Sequence, residues 1–223
     1  MNEKQLVGEK AVEYVKDGMI VGLGTGSTAY YTIVKLGEMV KQGLQIQGIP
    51  TSKQTEELAK KLGIPLTTLD KVEKIDVAID GADEVDPYLN VIKGGGGALL
   101  REKIIARAAG KFIVVADSSK NVPTLGSFPL PVEVIPFGYT MTARHIEKLG
   151  GKPHLRTVGN NPFITDNGNY ILDVHFREIP NPEEIETQLN LIPGVVENGL
   201  FVGMVDMVIT YDEEKGVYLK NKE

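Results

Sequence analysis

A segment rich in glycine and hydroxyl groups, Gly-Leu-Gly-Thr-Gly-Ser-Thr at 22–28, stands between a predicted strand and a predicted helix. Glycines let the backbone turn sharply and approach a ligand closely. The free amides at the start of a helix favour an anion, and Ser27 and Thr28 add hydroxyl donors. The segment lacks the third glycine of a dinucleotide fingerprint and the lysine of a P-loop. Two interpretations remain: an anion-binding loop, or a tight turn with a Ser/Thr cap.

Acidic residues cluster at 80–86, Asp-Gly-Ala-Asp-Glu-Val-Asp, where a buried strand is predicted to end. Carboxylates at this spacing repel one another, so the cluster needs compensation. The pattern is not an EF-hand, because Val85 and Val91 occupy the positions that require glycine and glutamate. An Asx-rich turn is one remaining explanation. The other is a nearby cation, for which Lys93 is the candidate.

Lys93 precedes four consecutive glycines, which we call the glycine run (94–97), and a strong helical pattern follows. Each glycine costs roughly 0.5–1 kcal/mol of backbone entropy relative to alanine. A solvated linker would tolerate that cost, but a run that opens a helix is better explained as a backbone cradle for a ligand.

Glu102 is the most informative single residue, because its neighbours on the predicted helix are apolar and mostly small. Partial burial would raise its pKa towards the range of a general base near neutral pH. The alternative is a structural ion pair with Lys93 or Arg101. Lys103 and Arg107 are predicted to face solvent. The apolar neighbours are Ala98, Ile105, Ala106 and Ala109.

Lys120 ends the segment Asp-Ser-Ser-Lys (117–120), directly after another predicted strand. A lone lysine indicates little, but beside an anion loop it becomes a candidate phosphate partner. His145, His154 and His175 are scattered and lack metal-ligand spacing, so no metal site is predicted.

Around these residues the sequence alternates between short apolar runs, often β-branched, and longer helical patterns. Such alternation predicts a mostly parallel sheet with helices on its faces, and ligands bind at the carboxyl ends of its strands. The predicted strands are Met19–Gly24, Leu44–Ile49, Asp76–Asp80 and Phe112–Asp117, and the predicted helices are Ser27–Lys41, Ser52–Leu62 and Ala98–Ala109.

The alternation of short apolar runs and helical patterns ends near Pro123, where a proline-rich apolar segment begins. A helix (140–149), a hairpin turn (166–169), a strand (170–176) and a helix (183–191) capped by Asn181, with Pro182 at its first position, are predicted. This order is typical of a small ferredoxin-like α+β sandwich. Leu200–Tyr211 is predicted to return a strand to the first part of the chain.

Composition narrows the class of protein. The 223 residues have a formal net charge of −6 and no cysteine. The acidity argues against broad nucleic-acid binding, and the lack of cysteine excludes a disulfide scaffold or a thiolate metal site. No apolar run approaches the ~20 residues that a membrane span needs, and the first fifteen residues show no signal-peptide pattern. We therefore expect a soluble cytoplasmic protein that binds neither nucleic acid nor membranes.

These segments, taken together and in order, resemble the type A family of ribose-5-phosphate isomerases. The resemblance extends through residue 201, and the tail after it departs from the expected pattern. The motifs are GLGTGSTA (22–29), TSKQTEELAK (51–60), DVAIDGADEVD (76–86), IKGGGGALLREKIIA (92–106), ADSSK (116–120) and PLPVEVIPF (129–137).

The resemblance implies interconversion of ribose 5-phosphate and ribulose 5-phosphate through an enediol(ate), without metal or organic cofactor. It implies that Glu102 is the base and that Asp80, Asp83 and Lys93 surround the reacting end of the sugar. It also implies a homodimer or homotetramer. The substrate-binding positions implied by the same motifs are Thr25, Gly26, Ser27, Thr28, Asp80, Gly81, Ala82, Asp83, Lys93, Gly94, Gly95, Gly96 and Lys120.

The implied fold is α/β, a Rossmann-like core with an inserted ferredoxin-like α+β domain. We place the core at 1–126, completed by 203–223, and the inserted domain, with its oligomer contacts, at 127–202. Two alternative functions remain open from the sequence: a non-catalytic module that senses sugar phosphates, and a related amino-sugar-phosphate isomerase.

Overall fold

The computed structural model describes residues 2–222, which form two compact units. The first unit comprises residues 2–82, 101–121 and 204–222, and the second comprises residues 83–100 and 122–203.

A six-stranded sheet forms the centre of the first unit. Numbered along the whole chain, its strands are β1 (Ile20–Leu23), β2 (Gln47–Pro50), β3 (Val77–Gly81), β6 (Phe112–Val115), β14 (Met207–Asp212) and β15 (Gly216–Asn221). The strand order is β15-β14-β6-β3-β1-β2, and all neighbouring strands are parallel except β14 and β15.

Helices pack against this sheet through apolar side chains, as expected for a mostly parallel sheet. The helices are α1 (Glu3–Ala11), α2 (Ala29–Lys41), α3 (Lys53–Leu62) and α4 (Leu99–Ala108), of which α4 belongs to this unit from Arg101 onward. The core of the unit includes Val7, Val21, Leu23, Ile33, Leu36, Ile79, Ile113, Val115 and Ile209.

Two element boundaries differ from the predictions for local reasons. The second strand begins at Gln47 rather than Leu44, because the amide of Leu44 closes the turn after α2 by donating to the Met39 carbonyl, 3.0 Å away. Helix α3 begins after Ser52, whose hydroxyl caps it by accepting from the Thr55 amide.

A four-stranded antiparallel sheet and two helices form most of the second unit. Their elements are β7 (Leu130–Val134), α5 (Tyr139–Glu147), β8 (Lys152–Leu155), β11 (Tyr170–His175), α6 (Pro182–Asn190) and β12 (Val195–Asn198). The strands are ordered β12-β7-β11-β8 in the sheet, and the chain order β7-α5-β8-β11-α6-β12 is the predicted ferredoxin-like pattern.

Two smaller sheets complete the second unit. One contains β4 (Glu84–Val85), β5 (Val91–Ile92) and β13 (Leu200–Phe201), and the other contains β9 (Thr157–Val158) and β10 (Asn161–Pro162). The predicted cap and turn are confirmed: Asn181 accepts from the Glu184 amide with Pro182 at the first position, and the 166–169 turn closes between Thr165 and Asn169.

The predicted strand Leu200–Tyr211 is wrong as a single element. Leu200 and Phe201 pair with β5 in the second unit, and the chain then breaks at Gly203, whose φ is +64°. Only from Met207 does it return to the six-stranded sheet, parallel to β6.

The two units also divide the chain differently from the sequence-based boundaries. Residues 83–100 belong to the second unit, because β4 and β5 pair with β13 and not with the six-stranded sheet. The division into a core (1–126 and 203–223) and an inserted domain (127–202) stays a prediction about folding domains.

Candidate active site

The glycine- and hydroxyl-rich segment of the first unit connects β1 to α2. Thr28 precedes α2, but its side chain forms no capping hydrogen bond. The Ser27 hydroxyl instead accepts from the Lys4 ammonium, 3.0 Å away. These contacts favour the anion-loop interpretation over the capped turn, because the hydroxyls are not committed to closing the helix.

An open cavity of about 920 Å³ borders this loop. Lys4, Gly26, Ser27 and Tyr30 contribute to its wall, together with Lys61 of α3. Two lysines, Lys4 and Lys61, and one carboxylate, Glu57, therefore border the same cavity as the loop, and this excess of positive charge favours an anion. Lys4 is a candidate binding residue that the sequence analysis missed, because a lysine in a polar first helix carries no local signal of its tertiary neighbour.

The Thr25 side chain belongs to a buried hydroxyl cluster, made of Thr25, Thr51, Ser52 and Thr55. The Thr25 hydroxyl oxygen lies 2.7 Å from that of Thr51, 2.8 Å from that of Ser52 and 3.1 Å from that of Thr55. The Thr55 hydroxyl also donates to the Gly24 carbonyl at 2.8 Å. The cluster thus ties the loop after β1 to the start of α3.

Asp80 lies near the carboxyl end of β3 and is only 3% exposed. Its Oδ1 accepts from the Thr25 amide at 3.0 Å and from the Gly81 amide at 2.7 Å. Gly24 lies directly against Asp80, and a Cβ atom at Gly24 would lie 2.5 Å from the Asp80 Cα and Cγ atoms. The absence of a side chain at Gly24 is therefore what lets the loop and the carboxylate lie side by side.

Backbone amides stabilise the remaining acids of 80–86, which lie in the second unit. Asp83 accepts from the Gly95 amide at 2.7 Å. Glu84 accepts from the amides of Gly126 (2.7 Å) and Phe128 (2.5 Å). Asp86 accepts from the amides of Tyr88 and Asn90, both at 2.8 Å, which is an Asx-type turn, one of the two explanations considered for the cluster. Charged acceptors form stronger hydrogen bonds than neutral ones, so these amides offset much of the mutual repulsion.

Lys93 and the glycine run also lie in the second unit. Lys93 is 2% exposed, its amide donates to the Gly199 carbonyl at 2.9 Å, and its ammonium lies 5.6 Å from the centre of the Phe201 ring. Gly94 has a φ of +101°, a conformation in which other residues are strained. Gly95 and Gly96 follow before α4 begins.

Glu102 lies in the first turn of α4 and is 4% exposed, so its predicted burial is confirmed. The helix lies close to the sheet, since a Cβ at Gly22 would be 2.6 Å from the Ile105 side chain. Arg107 is exposed as predicted, but the prediction for Lys103 is wrong, because this residue is only 9% exposed. Lys103 shares a helix face with buried Leu99, four residues earlier, so the buried face is wider than the sequence indicated.

Lys120 ends a short 3₁₀ turn, Ser118–Lys120, that follows β6. Asp117 organises this turn: its side chain accepts from the amide and the hydroxyl of Ser119, and its carbonyl accepts from the Lys120 amide. Glu3 of α1 accepts from the Ser118 amide at 2.9 Å. Helix α1 therefore contacts the loops after both β1 and β6, through Lys4 and Glu3 respectively.

Residues 2–222 contain no group of three or more His, Cys, Asp or Glu side chains that could hold a metal ion. None of the described helices combines the length and the apolar character of a membrane span.

The fold and these residues define a Rossmann-like α/β protein with a glycine- and hydroxyl-rich loop and a buried carboxylate after adjacent parallel strands of its sheet. The model of the family "Ribose 5-phosphate isomerase A (phosphoriboisomerase A)" matches residues 47–215. The chain belongs to this family of isomerases, so the resemblance and the predicted fold class are both confirmed.

Individual relatives agree with the family model. The chain is 57% identical over 218 residues to ribose-5-phosphate isomerase A of Trichodesmium erythraeum, covering 96% of this chain and 92% of that protein. It is 54% identical over 210 residues to the enzyme of Bacillus mycoides, covering 94% and 95%. A solved D-ribose-5-phosphate isomerase in complex with phospho-erythronic acid matches with a TM-score of 0.95 and 45% identity, over 99% of this chain and 100% of that one.

Proposed function

We propose that this chain interconverts D-ribose 5-phosphate and D-ribulose 5-phosphate by moving a proton between C2 and C1 through an enediol(ate). The observation that carries the proposal is the buried Glu102 carboxylate in the first turn of α4, immediately after the glycine run. An aldose-ketose isomerisation needs one base that takes a proton from one carbon and returns it to the next. We assign that role to Glu102.

The phosphate end of the substrate is assigned to the loop after β1. The turn that leads into α2, with the hydroxyls of Ser27 and Thr28, suits a phosphate, because helix N-termini bind anions readily. Lys4, 3.0 Å from the Ser27 hydroxyl, supplies a cation beside them. Lys120, at the end of the turn after β6, is assigned as a second phosphate partner.

The reacting end is assigned to Asp80, Asp83 and Lys93. Lys93, with amides of the glycine run, would stabilise the charge that develops on the enediolate oxygen. Asp80 would open the furanose ring, and Asp83 would orient a hydroxyl or share the ring-opening proton. Gly81, Ala82 and the segment Gly94–Gly96 are assigned to substrate binding through their backbone.

The test is conversion of ribose 5-phosphate by the purified chain in EDTA, beside Glu102→Gln and a control, Glu147→Gln, at an exposed position of α5. We expect metal-independent turnover by the wild type and the control. In Glu102→Gln we expect kcat to fall by about 10²–10⁴-fold, the usual contribution of a general base. Turnover that survives in the folded Glu102→Gln variant would refute the base assignment. Binding without turnover by the wild type would favour a sensing module.

We also propose that the enzyme is cytoplasmic and a homodimer or homotetramer. Exposed apolar side chains of the second unit support the oligomer, among them Phe137 (88% exposed), Met141 (52%) and Leu191 (76%). Large apolar side chains that form a contiguous exposed patch commonly mark interfaces, and Phe137 and Met141 lie four residues apart in the chain. Size-exclusion chromatography with light scattering would contradict this proposal if the chain eluted as a monomer.

A further inference from the structure

Arg156, just after β8, connects β11 to the glycine run within the second unit. Its Nε and Nη2 atoms donate to the two carboxylate oxygens of Asp173 at 2.9 and 2.6 Å. Its Nη1 atom donates to the carbonyls of Gly94 at 3.0 Å and Gly95 at 3.1 Å. The Arg156 side chain is 15% exposed, and its charge-assisted bonds to Asp173 and to the Gly94 carbonyl are partly buried, whereas the bond to the Gly95 carbonyl is exposed.

The glycine run has no side chains with which to anchor itself, so other groups must hold its backbone. The Gly95 amide donates to Asp83, and the Gly97 amide donates back to the Gly94 carbonyl at 2.9 Å. The Phe163 ring packs directly against Gly97 and leaves no space for a Cβ there. Arg156 adds a positively charged donor to these contacts, because its guanidinium donates to two consecutive carbonyls, those of Gly94 and Gly95.

The carbonyl contacts determine where the amides of the run point. In a trans peptide the C=O and the following N–H lie in one plane and point in opposite directions. The Gly94 carbonyl faces Arg156, so the Gly95 amide faces the opposite way, where it meets Asp83. By the same geometry, the carbonyl contact of Gly95 directs the Gly96 amide away from Arg156.

We propose that Arg156 is a positioning residue, which through the carbonyls of Gly94 and Gly95 fixes the amides of the glycine run and the carboxylate of Asp83 for the reaction. This inference rests on the proposed function, in which those groups act at the reacting end of the sugar. Asp173 holds the guanidinium by a bidentate pair and balances its charge. A lysine cannot reproduce the contact, because one ammonium lacks the planar fork that serves the carboxylate and both carbonyls.

The experiment compares wild type with Arg156→Met, Arg156→Lys and Asp173→Asn. Arg144→Met is the matched control, because Arg144 is an exposed arginine of α5. Each variant is measured for kcat, KM, thermal unfolding and affinity for phospho-erythronic acid. That compound carries a planar carboxylate beside its hydroxyl-bearing chain and so resembles a charged enediolate more than it resembles the substrate.

We expect Arg156→Met to lose about 10- to 100-fold in kcat, the scale expected when reacting groups are displaced by about 1 Å. Its affinity for phospho-erythronic acid should fall with kcat, and KM should rise by a smaller factor, because the phosphate loop belongs to the other unit and only the contacts of the glycine run are altered. Arg156→Lys should recover only part of kcat, and Asp173→Asn should lose less than Arg156→Met. Arg144→Met should behave as wild type.

Two results would overturn the proposal. One is wild-type kcat in folded Arg156→Met, and the other is a loss of kcat without any loss of affinity for phospho-erythronic acid. If Arg156→Met does not fold, wild-type kcat in both Arg156→Lys and Asp173→Asn would overturn it equally. Failure of the wild type itself to turn over ribose 5-phosphate would refute the proposed function, and this outcome is distinct from any effect of the variants.

Discussion

Gly24→Ala tests whether close packing of the loop after β1 against Asp80 is needed for activity. β1 and β3 are neighbouring parallel strands, and the Gly24 amide continues their pairing by donating to the Ile79 carbonyl at 3.0 Å. The methyl group of alanine would lie 2.5 Å from the Cα and Cγ atoms of Asp80. Because Cα belongs to the backbone of β3, a change of side-chain rotamer cannot relieve the contact.

The size of the effect follows from that distance. Carbon atoms in contact prefer a separation of about 3.5–4.0 Å, so the loop and Asp80 must move apart by about 1 Å. A displacement of this size at reacting groups costs about 10²-fold in activity. Overpacking of a tight site costs about 1–3 kcal/mol of stability. We therefore expect Gly24→Ala to stay folded with a lower melting temperature and about 10²-fold lower kcat/KM.

The assay is initial-rate conversion of ribose 5-phosphate, combined with thermal unfolding followed by circular dichroism. Gly110→Ala is the matched control, because a Cβ there would meet its nearest atom at an ordinary 3.4 Å. If Gly24→Ala equalled Gly110→Ala in both kcat/KM and melting temperature, the packing argument would be wrong. If Gly24→Ala lost the expected stability but kept full activity, the exact position of Asp80 would not be critical for turnover.

Three further predictions concern the first unit. Lys4→Met should raise KM with little change in kcat, because the ammonium lies at Ser27 in the proposed phosphate loop; an unchanged KM in steady-state kinetics would exclude that role. Ser52→Ala removes the cap of α3, so urea unfolding should show a loss of about 0.5–2 kcal/mol, and unaltered stability would contradict it. The Ile20 amide, with a smaller contribution from a lysine ammonium, lowers the pKa of Asp76. A depressed pKa stabilises the folded state above the unfolded pKa of about 3.9, and that contribution is lost as the pH falls through the folded value. Asp76→Asn should therefore be less stable than wild type at neutral pH, with the difference shrinking in acid; a difference independent of pH would count against it.

Much of the fold could be predicted because its determinants are local. The apolar runs of β1, β3 and β6 and the helices between them repeat at the periods of strand and helix, which predicts a parallel α/β sheet. Asn181 and Pro182 mark the start of α6 by their own hydrogen-bonding and φ preferences, and the structure confirms both. Burial of Glu102 followed from helical spacing alone.

The mistaken predictions concern long-range contacts. The apolar stretch Leu200–Tyr211 has the composition of one strand, but its halves pair in different units. Lys103 has a polar side chain in a helical pattern, and only the packing around α4 determines that it is buried. The role of Lys4 at the anion loop could not be predicted from its local sequence, since its hydrogen bond to Ser27 joins residues 23 positions apart.

Local patterns in the chain were enough to predict the alternation of strands and helices, the glycine-rich turns, the family, and the residue types that an isomerase needs. Those features depend on backbone preferences and periodicity within short segments. The amides that compensate the acidic cluster, and the hydrogen bond from Arg156 to the glycine run 62 residues away, could be identified only from the folded chain. Such contacts depend on how the strands of the second unit pair, because that pairing determines which distant groups become neighbours.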